Sequence, residues 1–248
     1  MGELISPAEF LKRLDERAMP RYTTGQVARY LHVPESTIRA WFYGTVYGRH
    51  LHTRRFEPII PPIGSPVDAP ADPQLLSFYD IASAHILCAF KKGGVGGDHL
   101  RDIVNSLREE YPGSPYPLLE KEFYRFGQDV VHRAAGEMLN LGKPHKKGRR
   151  QLVFEKIVQR FLSRVDVDSE KMPFRFAPVF GSGRGRAWIV IDPNYGGGRP
   201  VVEGTGIPAE VIARRSQGGE SVAALARDYR LSPRAIQEAV TYIQHKAA

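Results

Sequence analysis

Cysteine is almost absent from this chain: Cys88 is the only one in 248 residues. One thiol closes no intrachain disulfide and supplies no Cys-rich zinc module. Long hydrophobic runs are missing too, and no apolar stretch approaches the roughly 18 residues of a membrane span. The first residues, MGELISPAEFLKRLDERAMP, interrupt their apolar positions with Glu, Lys, Arg and Asp. That is not the apolar stretch of a secretory signal, so a cytoplasmic, reducing setting without a membrane partner is predicted. Catalytic sets are also lacking. No Ser/His/Asp or Cys/His arrangement has supporting context. The run Gly93-Gly94-Val95-Gly96-Gly97 lacks the Lys-Ser/Thr that a phosphate loop requires, so it reads as a turn between helices. The prediction is a protein that is not an enzyme and carries no metal or other cofactor.

What is present is enough apolar residue, 42 %, to build a core, and a net charge of +8. The length suggests two domains or three small ones. The charge is unevenly spread. Residues 1–60 carry 9 basic and 6 acidic groups, and residues 61–120 carry 4 and 8. Residues 121–190 carry 15 and 7, and residues 191–248 carry 7 and 6. Two basic regions separated by an acidic one suggest distinct surfaces for distinct partners, at least one of them anionic.

Periodicity predicts an amphipathic helix over 4–18, a hairpin over 43–60, and helices from Leu75 to Phe90 and from Asp98 to Glu109. A hairpin over 122–132, a basic loop at 143–150, a helix over 151–164 and strands in FRFAPVF and AWIVID follow. PPIGSPVDAPADP marks a connector over 61–73. The expected domains are therefore 1–60, 74–180 and 181–248. No tandem repeat is visible.

Residues 22–44, YTTGQVARYLHVPESTIRAWFYG, read as a helix-turn-helix. Thr23 and Thr24 offer caps, Val27, Ala28 and Leu31 face inward, and His32-Val33-Pro34 turns the chain. Ile38 with Trp41 or Phe42 packs the second helix back. Glu35, Ser36, Thr37 and Arg39 are left near its N-terminus, where short polar groups and an Arg reach major-groove base edges. An αα-hairpin used only for packing is the bland reading. The run resembles the N-terminal motif of MerR-type winged helix-turn-helix regulators through Tyr22, Thr23, Val27, Ala28, Val33, Ser36, Thr37, Ile38, Arg39 and Trp41. The resemblance implies DNA contacts from Thr24, Glu35, Ser36, Thr37, Arg39 and Tyr43, and from Arg49, Arg54 and Arg55 in a wing. A packing pair of helices after the wing, over 75–108, fits it. The long dimerisation coiled coil of that family is not visible.

Near the C-terminus, Ser221 and Ser232 offer caps and Pro208 and Pro233 suit first helical turns, giving three short helices that are locally another helix-turn-helix. The pattern Gly197-Gly198-Arg199-Pro200, Gly204-Thr205-x-Ile207-Pro208, Gly219-Glu220-Ser221, Asp228-Tyr229 and Leu231-Ser232-Pro233 resembles the small module catalogued as domain of unknown function four-three-three. That module is associated with VapB-type antitoxins. The family usually has Arg where this chain has Gly206, which leaves Arg199 as a candidate substitute. The resemblance implies partner contacts through Arg199, Thr205, Ile207 and Pro208, although direct DNA contact and a pure packing role stay open.

The fold expected is mainly α with small β elements: an N-terminal winged helix-turn-helix and a C-terminal three-helix, helix-turn-helix-like module. The resemblances imply an antitoxin that neutralises a PIN-like ribonuclease toxin and represses its operon by binding operator DNA as a homodimer. A stand-alone MerR-like regulator is the alternative. His50 and His52 suggest phosphate or solvent contact more than a metal pair. Asp166 and Asp168 read as solvated loop charge, and Cys88 as a core residue. The loop Lys143–Arg150 has two open readings, a phosphate clamp and a solvated cap.

Overall fold

The computed structural model describes residues 15–47, 54–62, 75–120, 156–157, 160–170, 172–178 and 188–244. It is mainly helical with small antiparallel sheets. The expected hairpin at 122–132, the basic loop 143–150, and Arg49, His50 and His52 lie outside the described residues. So does most of the expected helix over 4–18, of which only a short 3-10 turn at Glu16–Ala18 is described.

Strand β1 (Tyr22–Thr23) leads directly into α1 (Thr24–Leu31). Thr23 caps that helix: its hydroxyl accepts from the Gln26 N–H, while the Gln26 side chain accepts from the Thr23 N–H at 2.8 Å. Two of the orphan donors at the helix start are thus satisfied reciprocally. The helix stops at His32, whose backbone is left-handed (φ 54°). The Val33 N–H then reaches back to the Ala28 carbonyl at 3.0 Å, turning the chain into α2 (Glu35–Tyr43). Val27, Ala28, Leu31, Ile38, Trp41 and Phe42 are all buried, as the sequence spacing predicts.

Strands β2 (Thr45–Tyr47) and β3 (Arg54–Phe56) pair antiparallel after α2, with Thr45 opposite Phe56. Gly44 makes the bend between α2 and β2 at φ +75°, and a β-carbon there would overlap the Phe56 carbonyl oxygen. Leu75 does not begin a helix. Leu75–Leu76 form β4, which pairs with β1, and helix α3 (Phe78–Lys92) starts only after the Ser77 cap. The Ser77 hydroxyl accepts from the Asp80 N–H, and the Asp80 carboxylate accepts from the Ser77 N–H at 2.7 Å. A capping box fixes the boundary there, so hydrophobic periodicity alone places it three residues early.

Every residue of α3 from Phe78 to Phe90 is buried. A helix covered on all sides is the centre of its unit rather than one face of it. Around it pack α1, the following helix α4 (Gly97–Glu110), the 3-10 turn Pro117–Leu119, Phe161 and Phe176. Cys88 lies in this core, and burial pushes its thiol up to about 12. Residues 156–157 and 160–162 are helical, in agreement with the spacing of Leu152 to Leu162 where the structure describes it.

A four-stranded antiparallel sheet follows, in the order β5 (Val165–Val167), β6 (Pro173–Phe176), β7 (Ile189–Ile191), β8 (Pro200–Val202). Strand β7 joins two cores. Ile191 belongs to the core around α3, and Ile189 to a second core formed with α5 (Ala209–Gln217), α6 (Val222–Tyr229) and α7 (Pro233–Gln244). Ser221 caps α6 and the Ser232 hydroxyl accepts from the Ala235 N–H at 3.1 Å, as their positions suggest.

The backbone holds a repetition that the sequence does not show by eye. Arg230 ends α6 in the left-handed region at φ 54°, and the Leu231 N–H returns to the Ala226 carbonyl at 3.0 Å. His32, Val33 and Ala28 do the same at the end of α1. The cap, the small alanine, the left-handed residue and the apolar residue after it fall at the same spacing in both pairs.

Candidate nucleic-acid interface and the C-terminal module

Helix α2 has one buried side, Ile38, Trp41 and Phe42, and one outward side. Glu35, Ser36 and Arg39 are exposed and Thr37 is half-buried. Glu35 and Arg39 lie one turn apart and form an ion pair at 3.1 Å, with the Arg39 side chain 54 % exposed. Glu35 is held from a second direction. The Thr24 hydroxyl donates to the same carboxylate oxygen at 2.7 Å. That bond, then Arg39, keeps the Glu35 carboxyl below its ordinary range. Thr24 is only 2 % exposed, so it positions Glu35 from beneath α2 instead of offering its own hydroxyl outward. The fit is close at Gly25, where a β-carbon would stand 3.3 Å from the Glu35 carboxylate.

Lys91, at the end of α3, reaches the Thr37 hydroxyl at 3.5 Å and adds a cation beside this face. Tyr43 is half-buried and donates its hydroxyl to the Leu75 carbonyl at 3.2 Å, which ties the end of α2 to β4. Arg54 lies in β3, opposite Tyr47. Arg55 is 77 % exposed and pairs with Glu57 at 3.1 Å. Arg49 is outside the described residues. The structure therefore gathers Glu35, Ser36, Thr37 and Arg39 on one exposed turn, and gives Thr24 and Tyr43 holding contacts inside it.

In the C-terminal module, Thr205 builds its own turn. Its hydroxyl donates to the Val202 carbonyl at 2.8 Å and accepts from the Ile207 N–H at 3.1 Å. Ile207 is half-buried against the second core, and Pro208 is the residue before α5. Arg199 is exposed and donates to the Gly196 carbonyl at 2.9 Å. Gly206 is exposed with open space where a side chain would stand.

Several organising residues were missed at the sequence level. Arg215 gathers Glu220, bonded at 2.6 Å, and Asp228, and lies over the Tyr229 ring at 5.0 Å. The spaced Glu220 and Asp228-Tyr229 of the motif are thus one cluster around a single Arg. Its signal was available, because Arg215 sits one turn before the Gly218-Gly219 stop. Arg17 bridges Asp15 at 2.8 Å and Asp168 at 2.6 Å, and Asp166 pairs with Arg175 at 2.7 Å. The two aspartates weighed as solvated loop charge are therefore ion-paired. Among the described residues no group of three His, Cys, Asp or Glu could hold a metal ion, and no helix is long and apolar enough to cross a membrane.

The two modules touch. The Tyr242 hydroxyl of α7 donates to the Tyr30 carbonyl of α1 at 3.0 Å. The Tyr242 ring packs on His32 with centroids 4.9 Å apart. Gly198, at φ +73°, lies so close to the Tyr22 hydroxyl that a β-carbon would overlap it.

Comparison with known proteins matches two parts of the chain to family profiles. Residues 20–104 match the family profile described as "Putative DNA-binding HTH domain", which runs past β3 through α3 and into α4. Residues 189–243 match the profile described as "Protein of unknown function (DUF433)". The chain thus combines an N-terminal helix-turn-helix domain of the DNA-binding type with a C-terminal DUF433 domain. Along most of its length it is also a distant homologue of one curated protein. It is 28 % identical over 237 residues to "Putative antitoxin VapB45" of Mycobacterium tuberculosis, covering 91 % of this chain and 94 % of that relative. Its fold is similar to the X-ray crystal structure of Rv2018 from Mycobacterium tuberculosis, with a TM-score of 0.67 and 26 % identity, covering 90 % of this chain and 98 % of that one.

Proposed function

We propose that this protein is the antitoxin of a type II toxin–antitoxin pair, which binds and neutralises a PIN-like ribonuclease toxin and represses its own operon. The observation that carries this reading is the homology to "Putative antitoxin VapB45" across both modules, joined to an exposed polar turn on α2. In this reading α2 enters the major groove and Glu35, Ser36, Thr37 and Arg39 meet base edges. Strands β2 and β3 act as a wing that brings Arg49, Arg54 and Arg55 to the phosphates, and Thr24 and Tyr43 keep the reading helix in register. Residues 1–60 form the reading head, 74–180 the organising middle, and 181–248 a helix-turn-helix-like module that meets the toxin through Arg199, Thr205, Ile207 and Pro208. Neutralisation is occlusion, in which a basic or bulky segment covers an acidic nuclease site. A homodimer in the cytoplasm reads two half-sites.

Co-expression with the product of the neighbouring gene is the test. A co-purifying complex and rescue of growth from that product support the antitoxin reading. Absence of both, with specific operator binding retained, favours a stand-alone MerR-like regulator.

A further inference from the structure

The likeness between the two helix pairs continues from the backbone to the surface. Helices α1 and α6 are each eight residues long. At one constant spacing along the chain, Thr23 and Ser221 cap them, Ala28 and Ala226 are the small buried residues, and Ile38 and Ile236 anchor the helix that follows. Packing alone accounts for that much, since any tight αα-hairpin needs it. Packing does not account for the outside. Arg29 and Arg227, in the last turns of α1 and α6, correspond at the same spacing and are both exposed. Ser36 corresponds to Arg234 and Arg39 to Gln237, and all four are exposed.

Helix α7 is covered by α5, α6 and β7, and its Tyr242 is anchored on α1. One stripe stays open after all of this packing: Arg234, Gln237, Thr241 and Gln244, exposed and at helical spacing. None of the four is a carboxylate. Gln suits adenine, Arg suits guanine, and the Thr methyl suits thymine in the major groove. The flank of the stripe is basic. Asp228 is bonded to Arg215, and the charges of Arg234 and Glu238, one turn apart, cancel in the count. Arg227 and Arg230, both exposed, then set the sign of this face. Arg230 sits in the left-handed turn itself, the place His32 holds in the first pair. The first turn of α7 contains no acidic residue, whereas α2 begins with Glu35.

We propose that α6 and α7 are a second DNA-reading unit, with α7 in a major groove, Arg234, Gln237 and Thr241 on base edges, and Arg227 and Arg230 on phosphates. The unit depends neither on the antitoxin reading nor on α2 meeting DNA. The residues that reading assigns to a toxin, Arg199 to Pro208, all precede α5, so the module builds its two surfaces from different elements.

The test is selection of bound sequences from a library of random-sequence duplex DNA by the full chain, then titration of the recovered duplex at several salt concentrations. Two separate blocks of preferred bases are expected. Gln237→Ala blurs one block and weakens binding about ten-fold, and Arg39→Ala blurs the other. Arg227→Ala lowers the slope of log affinity against log salt by about one. Adding Arg230→Asn, a residue that tolerates the left-handed turn, brings the fall to about two. All these positions are exposed, so the melting temperature stays near that of the native chain. Arg39→Ala without effect, while Gln237→Ala still blurs a block, supports this unit and removes α2 from the DNA. Preferred bases unchanged by Gln237→Ala, a salt slope unchanged by the arginine variants, or no sequence selected by the full chain overturns the proposal. So does loss of a co-purifying neighbouring gene product in the arginine variants with DNA binding intact, which gives the face to a protein partner.

Discussion

Tyr22 and Gly198 share one space: the phenol hydroxyl of the first occupies the position a side chain on the second would need. Tyr22 opens the helix-turn-helix motif and Gly198 lies in the Gly-Gly-Arg-Pro pattern of the DUF433 module. The two motifs on which the family resemblances rest are therefore in contact, and each restricts what the other can be.

Gly198→Ala is expected to destabilise the protein by about 2–4 kcal/mol, from a β-carbon in the left-handed region together with overlap against Tyr22. Chemical denaturation measures the loss. Adding Tyr22→Phe removes the nearest overlapping atom and recovers part of it. Losses that simply add in the double variant would show that the two positions act independently.

The Arg39 side chain is 54 % exposed and pairs with Glu35 one turn away, outside the buried core. Arg39→Ala is expected to weaken specific operator binding by about 1–3 kcal/mol while the melting temperature stays put. Gel-shift titration at one fixed salt concentration reads this directly. Unchanged affinity would remove Arg39 from the base-reading set.

His85 gives the fold a pH dependence of known sign. Burial, then Arg164, holds its imidazole well below the ordinary 6.5. Below about 6.5 the unfolded chain binds a proton that the folded chain refuses, so stability is present above that pH and falls as acidity increases toward the folded value. Asp15, Glu35 and Asp168, all shifted down, add losses at more acidic pH, below the ordinary carboxylate value. His85→Phe removes only the first part. Denaturation midpoints of the two proteins are expected to diverge between pH 7 and 5, the native protein declining more steeply. Parallel profiles would contradict the assignment.

Local chemistry was legible in the sequence, and distant chemistry was not. The caps Thr23, Ser221 and Ser232, the buried stripe Val27-Ala28-Leu31, and the outward turn Glu35 to Arg39 all depend on neighbours within a helix or two, which spacing reveals. The spacing of Leu75 to Phe90 identified a helix but not its complete burial, because that depends on Phe161 and Phe176 arriving from far along the chain. Thr24 illustrates the same limit. Its residue type suits DNA contact, yet only the partner across the turn shows that its hydroxyl is spent on Glu35. The ion pair of Arg17 with Asp168 likewise joins residues that no local pattern connects.

The hydrogen bond from Tyr242 to the Tyr30 carbonyl spans 212 residues. Contacts of such sequence separation are slow to form, because the intervening chain must first surrender its loop entropy. During synthesis α1 and α2 emerge long before α7 exists to cover Tyr30 and His32. The N-terminal unit therefore spends the early life of each molecule without its C-terminal brace, and the finished domain arrangement is the last event of folding, not the first.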